Sequence, residues 1–511
     1  MTSPTGQRVN GLWATVSSLP VYPTIFFVAF VVDLWSNASL DARLLIRPVV
    51  VAVVVGLVVT AAGIAITQSR HKGGVVAGVA AVGIVGGDDR RLIVLAVVAM
   101  LAILILGLRE RTFSGPIPWS RATRGLNILA SALLVVLAVS AVSALTRSSS
   151  GAAVHVEATP ALSTTPPDIV VLLLDAHARA DVLAVDYDAD MSGFVNALEQ
   201  RGFDVSSRSR SNYMSTQLTL PSMFNLNDLS ELKLPDVADR LYGPALNASL
   251  VDNEAFRILR EGGYRIGAVS PGYEGVALRN ADRFFDAGQL SELETILIAN
   301  SAALPAIDVV APTALQDQLR NRIRWNLDPD NWLPEMTSTS ASQPFFLFVH
   351  VPSPHPPYVF YRDGSPRQDR VIFFVDRTPF VQRTQESIDS TATAYVGQLS
   401  YVDTLATAAI DKVLAAVPDD AVVIVMADHG PDAHVDWSNL TPTNSHERFA
   451  AFFAARTPGH ATLFGDAPTP VNLFRTLFNT YLGTDLPLLS DDSFMGIPPE
   501  QLVDIGNPDE R

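Results

Sequence analysis

The chain has 511 residues, no cysteine, and 52 acidic against 36 basic side chains, a formal charge of −16 at pH 7. That balance excludes a general nucleic-acid binder, whose phosphate contacts need clustered Lys and Arg, and the missing cysteines exclude disulfides, thiolate metal sites and a cysteine nucleophile. The length calls for two or more domains, and the mean hydropathy of +0.24 is carried by residues 20–145, nearly all Val, Ala, Leu, Ile and Gly.

Residues 1–19 are polar and expected on the cytoplasmic side. Val21 to Leu34 is apolar up to Asp33. Ile46 to Ile66 matches the roughly 20 residues that a bilayer needs. Gly74 to Gly86 is short and glycine-rich, whereas Leu92 to Leu108 and Leu126 to Leu145 are good spans. Because further spans follow the first, it is not read as a cleaved signal peptide. With five spans, the inside loops hold Arg70, Lys72, Arg109, Arg111, Arg121 and Arg124. The outside loops hold Arg43 and Arg47, then Arg90 and Arg91 offset by Asp88 and Asp89. This bias puts the C-terminal half outside the cytoplasm. A re-entrant third segment would leave four spans and reverse that. The spans suit plain anchoring or a lipid-handling role, and Asp33 is expected at an interface.

Ser149 to Pro167, rich in Ser, Thr, Ala and Pro, reads as a linker. It divides a transmembrane domain, 1–148, from a globular domain, 168–511. In the globular part, Asp168 to Asp175, Arg265 to Val269, Phe345 to His350 and Ala421 to Asp428 read as strands buried on both faces. Helical patterns lie between and after them, at Ser249 to Glu261, Thr391 to Val417 and Pro470 to Leu482. Such alternation predicts a doubly wound, mainly parallel α/β sheet, with its site at the carboxyl ends of the strands. Three of the four strands end in Asp or His. The acidic tail, Asp504 to Arg511, is expected to fray.

Small hydroxyl residues crowd Ser211 to Asn225, a loop expected to become a helix near Pro221. A hydroxyl there meets free N–H groups and a dipole that favour negative charge. Asp175, Thr216, Asp428 and His429 together offer three oxygens and one imidazole nitrogen, a set for zinc or, with added water, manganese. A metal-bound hydroxyl loses its proton readily, so Thr216 could attack at neutral pH. His350 and His355 in Val349-His-Val-Pro-Ser-Pro-His-Pro-Pro-Tyr358, and His446 in His446-Glu-Arg-Phe449, could hold phosphoryl oxygens or protonate a leaving group. Each piece has a plainer reading. An Asp after a strand often caps a turn, and His350 fits a hydrogen-bonded core. His177 and His434 fit the surface or a supporting layer. Trp325 and Trp332 fit ordinary packing or a membrane-facing edge. The site rests on the pieces occurring together.

These residues resemble the sulfatase-like branch of the alkaline phosphatase superfamily over most of 167–485. In particular, the chain is similar to membrane-anchored transferases: lipoteichoic acid synthases, which move phosphoglycerol, and lipid A phosphoethanolamine transferases. The resemblance implies five N-terminal transmembrane helices in the plasma (inner) membrane and an extracytoplasmic catalytic domain. Thr216-Gln-Leu-Thr-Leu-Pro-Ser-Met-Phe224 is similar to the motif whose first threonine becomes phosphorylated. Asp428-His-Gly430 matches a ligand pair, and His350 and His355 match a His-x4-His pair whose second member contacts phosphate. His446 matches a later histidine near the metal. The family's first acid, counted back from Arg179-Ala-Asp181, falls on Ala176, and a one-residue loop difference moves it to Asp175. The chain lacks the cysteines that flank the nucleophile in the phosphoethanolamine transferases. Thr219-Leu-Pro-Ser-Met also lacks the Cys or Ser that becomes formylglycine in ordinary sulfatases.

The expected activity is transfer of a phosphoryl-linked head group from a phospholipid donor to a cell-envelope glycan or lipid, through a phospho-threonine. A phosphodiester or sulfate ester hydrolase with the same site is the second reading. A non-catalytic envelope scaffold is the third.

Overall fold

The computed structural model describes residues 19–38, 40–86, 119–148, 155–161, 166–237, 242–338, 343–368, 384–498 and 501–510. The chain forms two compact units: Met1–Thr146 with Leu290–Ala314, and Arg147–Gln289 with Leu315–Arg511.

The first unit contains α1 (Tyr22–Ala38), α2 (Ile46–Thr67), α3 (Arg70–Val85) and α4 (Trp119–Ser148). Among the described residues, Ala42–Thr67 and Trp119–Val139 are long and apolar enough to cross a membrane. The 16 residues of α3 reach about 24 Å, short of a hydrocarbon core of about 30 Å. The expected span Leu92 to Leu108 lies outside the described residues. The glycines of the third segment let backbones approach. A Cβ on Gly73 would lie 2.4 Å from Ile64 N of α2, and one on Gly78 2.6 Å from the Tyr22 ring, the small-residue packing used between apolar helices. Ile46, Val50, Val54, Leu57 and Val58 of α2 face outward.

The second unit is built on a seven-stranded sheet. Its strands are β1 (Ile169–Leu174), β2 (Asp204–Val205), β3 (Arg265–Val269), β4 (Arg283–Phe285), β5 (Phe345–Val351), β6 (Val422–Met426) and β7 (Phe453–Arg456), in the order β2-β7-β6-β1-β5-β3-β4. From β6 to β4 the neighbours are parallel, whereas β7 and β2 close one edge antiparallel. The central strands are continuous apolar runs because both faces are covered. Val170, Leu172 and Leu174 of β1 enter one core, and Ile169, Val171 and Leu173 enter the other. Leu173 pairs with both His350 and Met426, which brings the carboxyl ends of β1, β5 and β6 level.

Helix α5 (Thr216–Phe224) begins at Thr216 rather than near Pro221. Its first turn is already closed by Leu218 and Thr219 N–H donating to Ser215 O at 3.0 and 2.9 Å. The helix expected over Ser249 to Glu261 is two, Tyr242–Val251 and Glu254–Glu261, because the Asn253 side chain caps the second at Phe256 N. Helices α6 (Glu292–Ala299) and α7 (Ala303–Val310) pack within the first unit, so the globular part is not one unbroken stretch. Helices α8 (Gln385–Ala416), α9 (His446–Phe449) and α10 (Pro470–Tyr481) complete the second unit. Through residue 510 the tail is ordered rather than frayed. Strand β9 (Val503–Gly506) pairs with β8 (Ser493–Met495), and Asp509 forms ion pairs with Arg179 and His446. Trp332 is buried and Trp325 packs against the same core.

Candidate active site

Two parallel strands and one helix start bring the site together. The Asp175 N–H donates to Val351 O at 3.1 Å, which extends the sheet by one residue. Ala176 then turns the chain sharply at a φ of 63°, while Asp175 O accepts from His355 N at 2.8 Å. That turn leaves the Asp175 side chain facing inward. Strand β6 runs into Asp428, His429 and Gly430. A Cβ at Gly430 would sit 2.0 Å from Glu447 O, so only glycine lets this turn pack on α9. Thr216 enters as the first residue of α5.

The ring of His429 lies at the centre. Its Nε2 is 3.2 Å from Thr216 Oγ1, 3.3 Å from Asp428 Oδ2 and 3.6 Å from Asp175 Oδ1. Its Nδ1–H donates to Gly430 O at 2.9 Å, which leaves Nε2 a bare acceptor. Asp175 Oδ1 and Asp428 Oδ2 are buried without a hydrogen-bond partner among the described residues. Tetrahedral ligands about 2.1 Å from an ion stand about 3.4 Å apart, so these spacings suit one cation. The donor set suits it too, because two buried carboxylates oppose each other unless a cation joins them.

The electrostatics follow from this crowding. Burial pushes the Asp175 carboxyl up, but His355, the His350 hydrogen bond and His429 outweigh it and hold it well below the usual range. Burial and the charge of Asp175 push Asp428 up. Burial and Arg448 push the His429 imidazole down, which keeps it neutral and fit to ligate.

His350 Nε2 sits 3.3 Å from Asp175 Oδ2 and so acts on that carboxylate from behind. The ligand atoms of Asp175, His355 and His429 lie within 4.8 Å of one another. His355 Nδ1–H donates to Pro356 O at 2.6 Å, which leaves Nε2 as the acceptor of that ring. His446 is engaged elsewhere: its side-chain partner among the described residues is Asp509, at 3.1 Å. The reason is the ordered tail, which supplies a carboxylate at the start of α9. His177, expected at the surface or in a supporting layer, is not at the surface: it is fully buried between Phe194 and Phe452 and bonded to Asp403 at 2.8 Å.

Arg448 was not singled out from the sequence. Its guanidinium bonds to Met214 O at 2.7 Å and Gly430 O at 2.9 Å, and reaches His429 Nε2 at 3.1 Å. It thus ties the approach to α5, the turn after β6 and the central imidazole together, and puts a fixed positive charge beside Thr216. The available signal was its place two residues after His446.

Residues 167–452 match the sulfatase family. No curated protein matches the chain. Among solved structures, the C-terminal periplasmic domain of EcEptC from Escherichia coli shares 13% identity at a TM-score of 0.43, over 69% of this chain and 96% of that one. The same domain has also been solved in complex with Zn, at 14% identity and a TM-score of 0.43, over 68% of this chain and 95% of that one. The integral membrane protein lipooligosaccharide phosphoethanolamine transferase A (EptA) from Neisseria meningitidis shares 14% identity at a TM-score of 0.38, over 76% of this chain and 69% of that one.

Proposed function

Because the chain belongs to the sulfatase family, in the alkaline phosphatase superfamily of enzymes, we propose that it transfers a phosphoryl-linked head group from a membrane phospholipid to an envelope glycan or lipid. The carrying observation is the Thr216 hydroxyl, 3.2 Å from His429 Nε2, among the buried carboxylates of Asp175 and Asp428. The apolar helices of the first unit suit a membrane-borne donor, whose local concentration they would raise.

Asp175, Asp428, His429 and Thr216 would hold one divalent ion, zinc or manganese. When bound, the ion supplies a Lewis acid that favours the alkoxide of a nearby hydroxyl. The residues do the rest. The Thr216 hydroxyl gives its proton to water, Oγ forms a bond to the phosphorus of the phosphodiester, and the bond to the diacylglycerol oxygen breaks. His355 Nε2 delivers the proton that this oxygen takes up. Arg448 steadies charge at the phosphoryl group. An acceptor hydroxyl then attacks the phosphorus of the phospho-threonine, its proton passes to the same histidine, the bond from phosphorus to Oγ breaks, and Oγ takes a proton back from water. With water as acceptor the same steps give hydrolysis.

The test is mass spectrometry of the Thr216 peptide from protein taken from its own membranes, beside a Thr216→Ala sample, with metal content read on both. An adduct that disappears in the variant supports the proposal, and its mass identifies the group. Metal without an adduct favours hydrolysis. Neither metal nor adduct in folded protein overturns both.

A further inference from the structure

Between β4 and β5 the chain leaves the second unit at Gln289 and returns to it at Leu315, and the residues between pack with the apolar N-terminal helices. Leu293 of α6 is fully buried and, with Ile296 and Leu297, meets Trp35, Leu40, Leu44 and Leu45. A capping box of Ser291 and Glu294 starts α6, and Glu294 also pairs with Arg47 at the start of α2. Just past α6, Ala302 N–H donates to Ile84 O at the end of α3, at 2.8 Å. Helix α7 leaves at 94° to α6 and carries Val309 and Val310, each 84% exposed.

Length decides what this pair can be. Both ends of the insert join the same unit, so it crosses a bilayer an even number of times or not at all. The two helices have 8 residues each, about 12 Å apiece, against a core of about 30 Å. Two crossings are out of reach. An apolar pair that cannot cross, docked at the start of α2, which can, belongs in the interfacial layer.

The contacts also say which end of the bundle it occupies. Trp35 lies in the last turn of α1 and Leu40 just after it, Arg47 opens α2, and Ile84 closes α3. Helix α4 finishes at that end as well. Its early Asn127 accepts from Val21 N and Tyr22 N at 3.2 and 3.1 Å, and Thr123 meets His71 at 3.0 Å, at the opposite end. Its later Ala141 packs with the Trp35 cluster. Chain enters the insert and leaves α4 on one face, opposite the start of α1.

We propose that residues 290–314 form a lipid-facing wedge in the head-group layer of that face, with Val309 and Val310 in contact with acyl chains. This rests on the first unit being membrane-embedded and not on the transferase reading.

The chain has no cysteine, so a single label can be placed without background. Full-length Val310→Cys protein, carrying a polarity-sensitive fluorophore, is reconstituted in vesicles of phosphatidylethanolamine and phosphatidylglycerol. Val185→Cys, at an 81% exposed position of the second unit, is the control. The wedge predicts blue-shifted emission at 310, shielding from aqueous iodide, and stronger quenching by lipids bearing a doxyl group near the head group than at the chain end. The control label should be quenched by iodide alone. Iodide access at 310 equal to that at 185 overturns the proposal. Shielding without lipid quenching also overturns it, since a protein would then cover the site, and so does strongest quenching from the bilayer centre.

Discussion

Thr216 Oγ1 lies 3.2 Å from His429 Nε2 across 213 residues of sequence. The contact joins the first residue of α5 to the turn after β6. It places a hydroxyl beside a neutral imidazole and two carboxylates, and from it follow the outcomes below.

Thr216→Ala removes the oxygen that would carry the phosphoryl group. Head-group transfer should fall by at least about 10³-fold, as for loss of other enzyme nucleophiles. Thr216→Ser should keep a measurable rate. Release of labelled diacylglycerol from vesicles reads both, and a near-normal rate in the alanine variant removes Thr216 from the chemistry.

Removing divalent metal should destabilise the second unit, because Asp175 and Asp428 are then left facing each other. A ligand present at a thousand times its Kd contributes about 4 kcal/mol, or roughly 6 °C in Tm for a unit of this size. Thermal scans before and after chelation, and after adding zinc or manganese, check this. The metal-dependent shift should vanish in Asp175→Ala and Asp428→Ala. A wild-type Tm indifferent to metal contradicts the site.

Gly430→Ala drives a methyl group into Glu447 O. The turn after β6 and α9 must separate, at about 1–3 kcal/mol for overpacking, and His429 moves with them. A Cβ at Gly193 meets nothing within 4 Å, so Gly193→Ala should be neutral or stabilising by up to about 1 kcal/mol. Paired urea titrations distinguish the two.

Arg448→Lys keeps the charge but cannot reach the same acceptors with one ammonium. Leaving buried carbonyl groups short of donors costs about 1–3 kcal/mol. We expect a lower Tm together with a lower kcat, and a loss of stability alone would make Arg448 a purely structural tie.

The Asp509–His446 pair should act on stability in a defined pH window. Its hydrogen bond to Asp509 raises the His446 pKa, so this contribution is full below the ordinary imidazole value and fades as pH rises through the raised one. Against its burial, His446 and Arg179 lower the Asp509 pKa, so that contribution is lost as pH falls through the lowered value. The difference between wild type and His446→Gln should therefore be largest near about pH 5–6 and fade above neutrality. Partial exposure limits it to about 1 kcal/mol or less. Transfer activity in His446→Gln should stay within about tenfold of wild type, because the ring is engaged on Asp509.

Much of the second unit was legible because its central strands are buried on both faces. A continuous apolar run such as Ile169–Leu174 can be read without its neighbours, and so can the Asp or His that ends it. The short strands β2, β4 and β7 gave no such signal. The start of α5 was misplaced because Pro221 looks like a helix opening, although Ser215 O already closes the first turn. The sequence left His177 between the surface and a supporting layer, since its partner Asp403 lies on α8.

The sequence by itself determined the apolar N-terminal half, the parallel core and the residues that meet at the strand ends, because hydrophobic periodicity and local turn chemistry are properties of neighbouring residues. Tertiary structure alone decided that Arg448 reaches His429, that Asp509 takes His446, and that Leu290–Ala314 packs with the first unit. Those contacts depend on where a distant segment returns, and no local pattern of charge or hydropathy encodes that return.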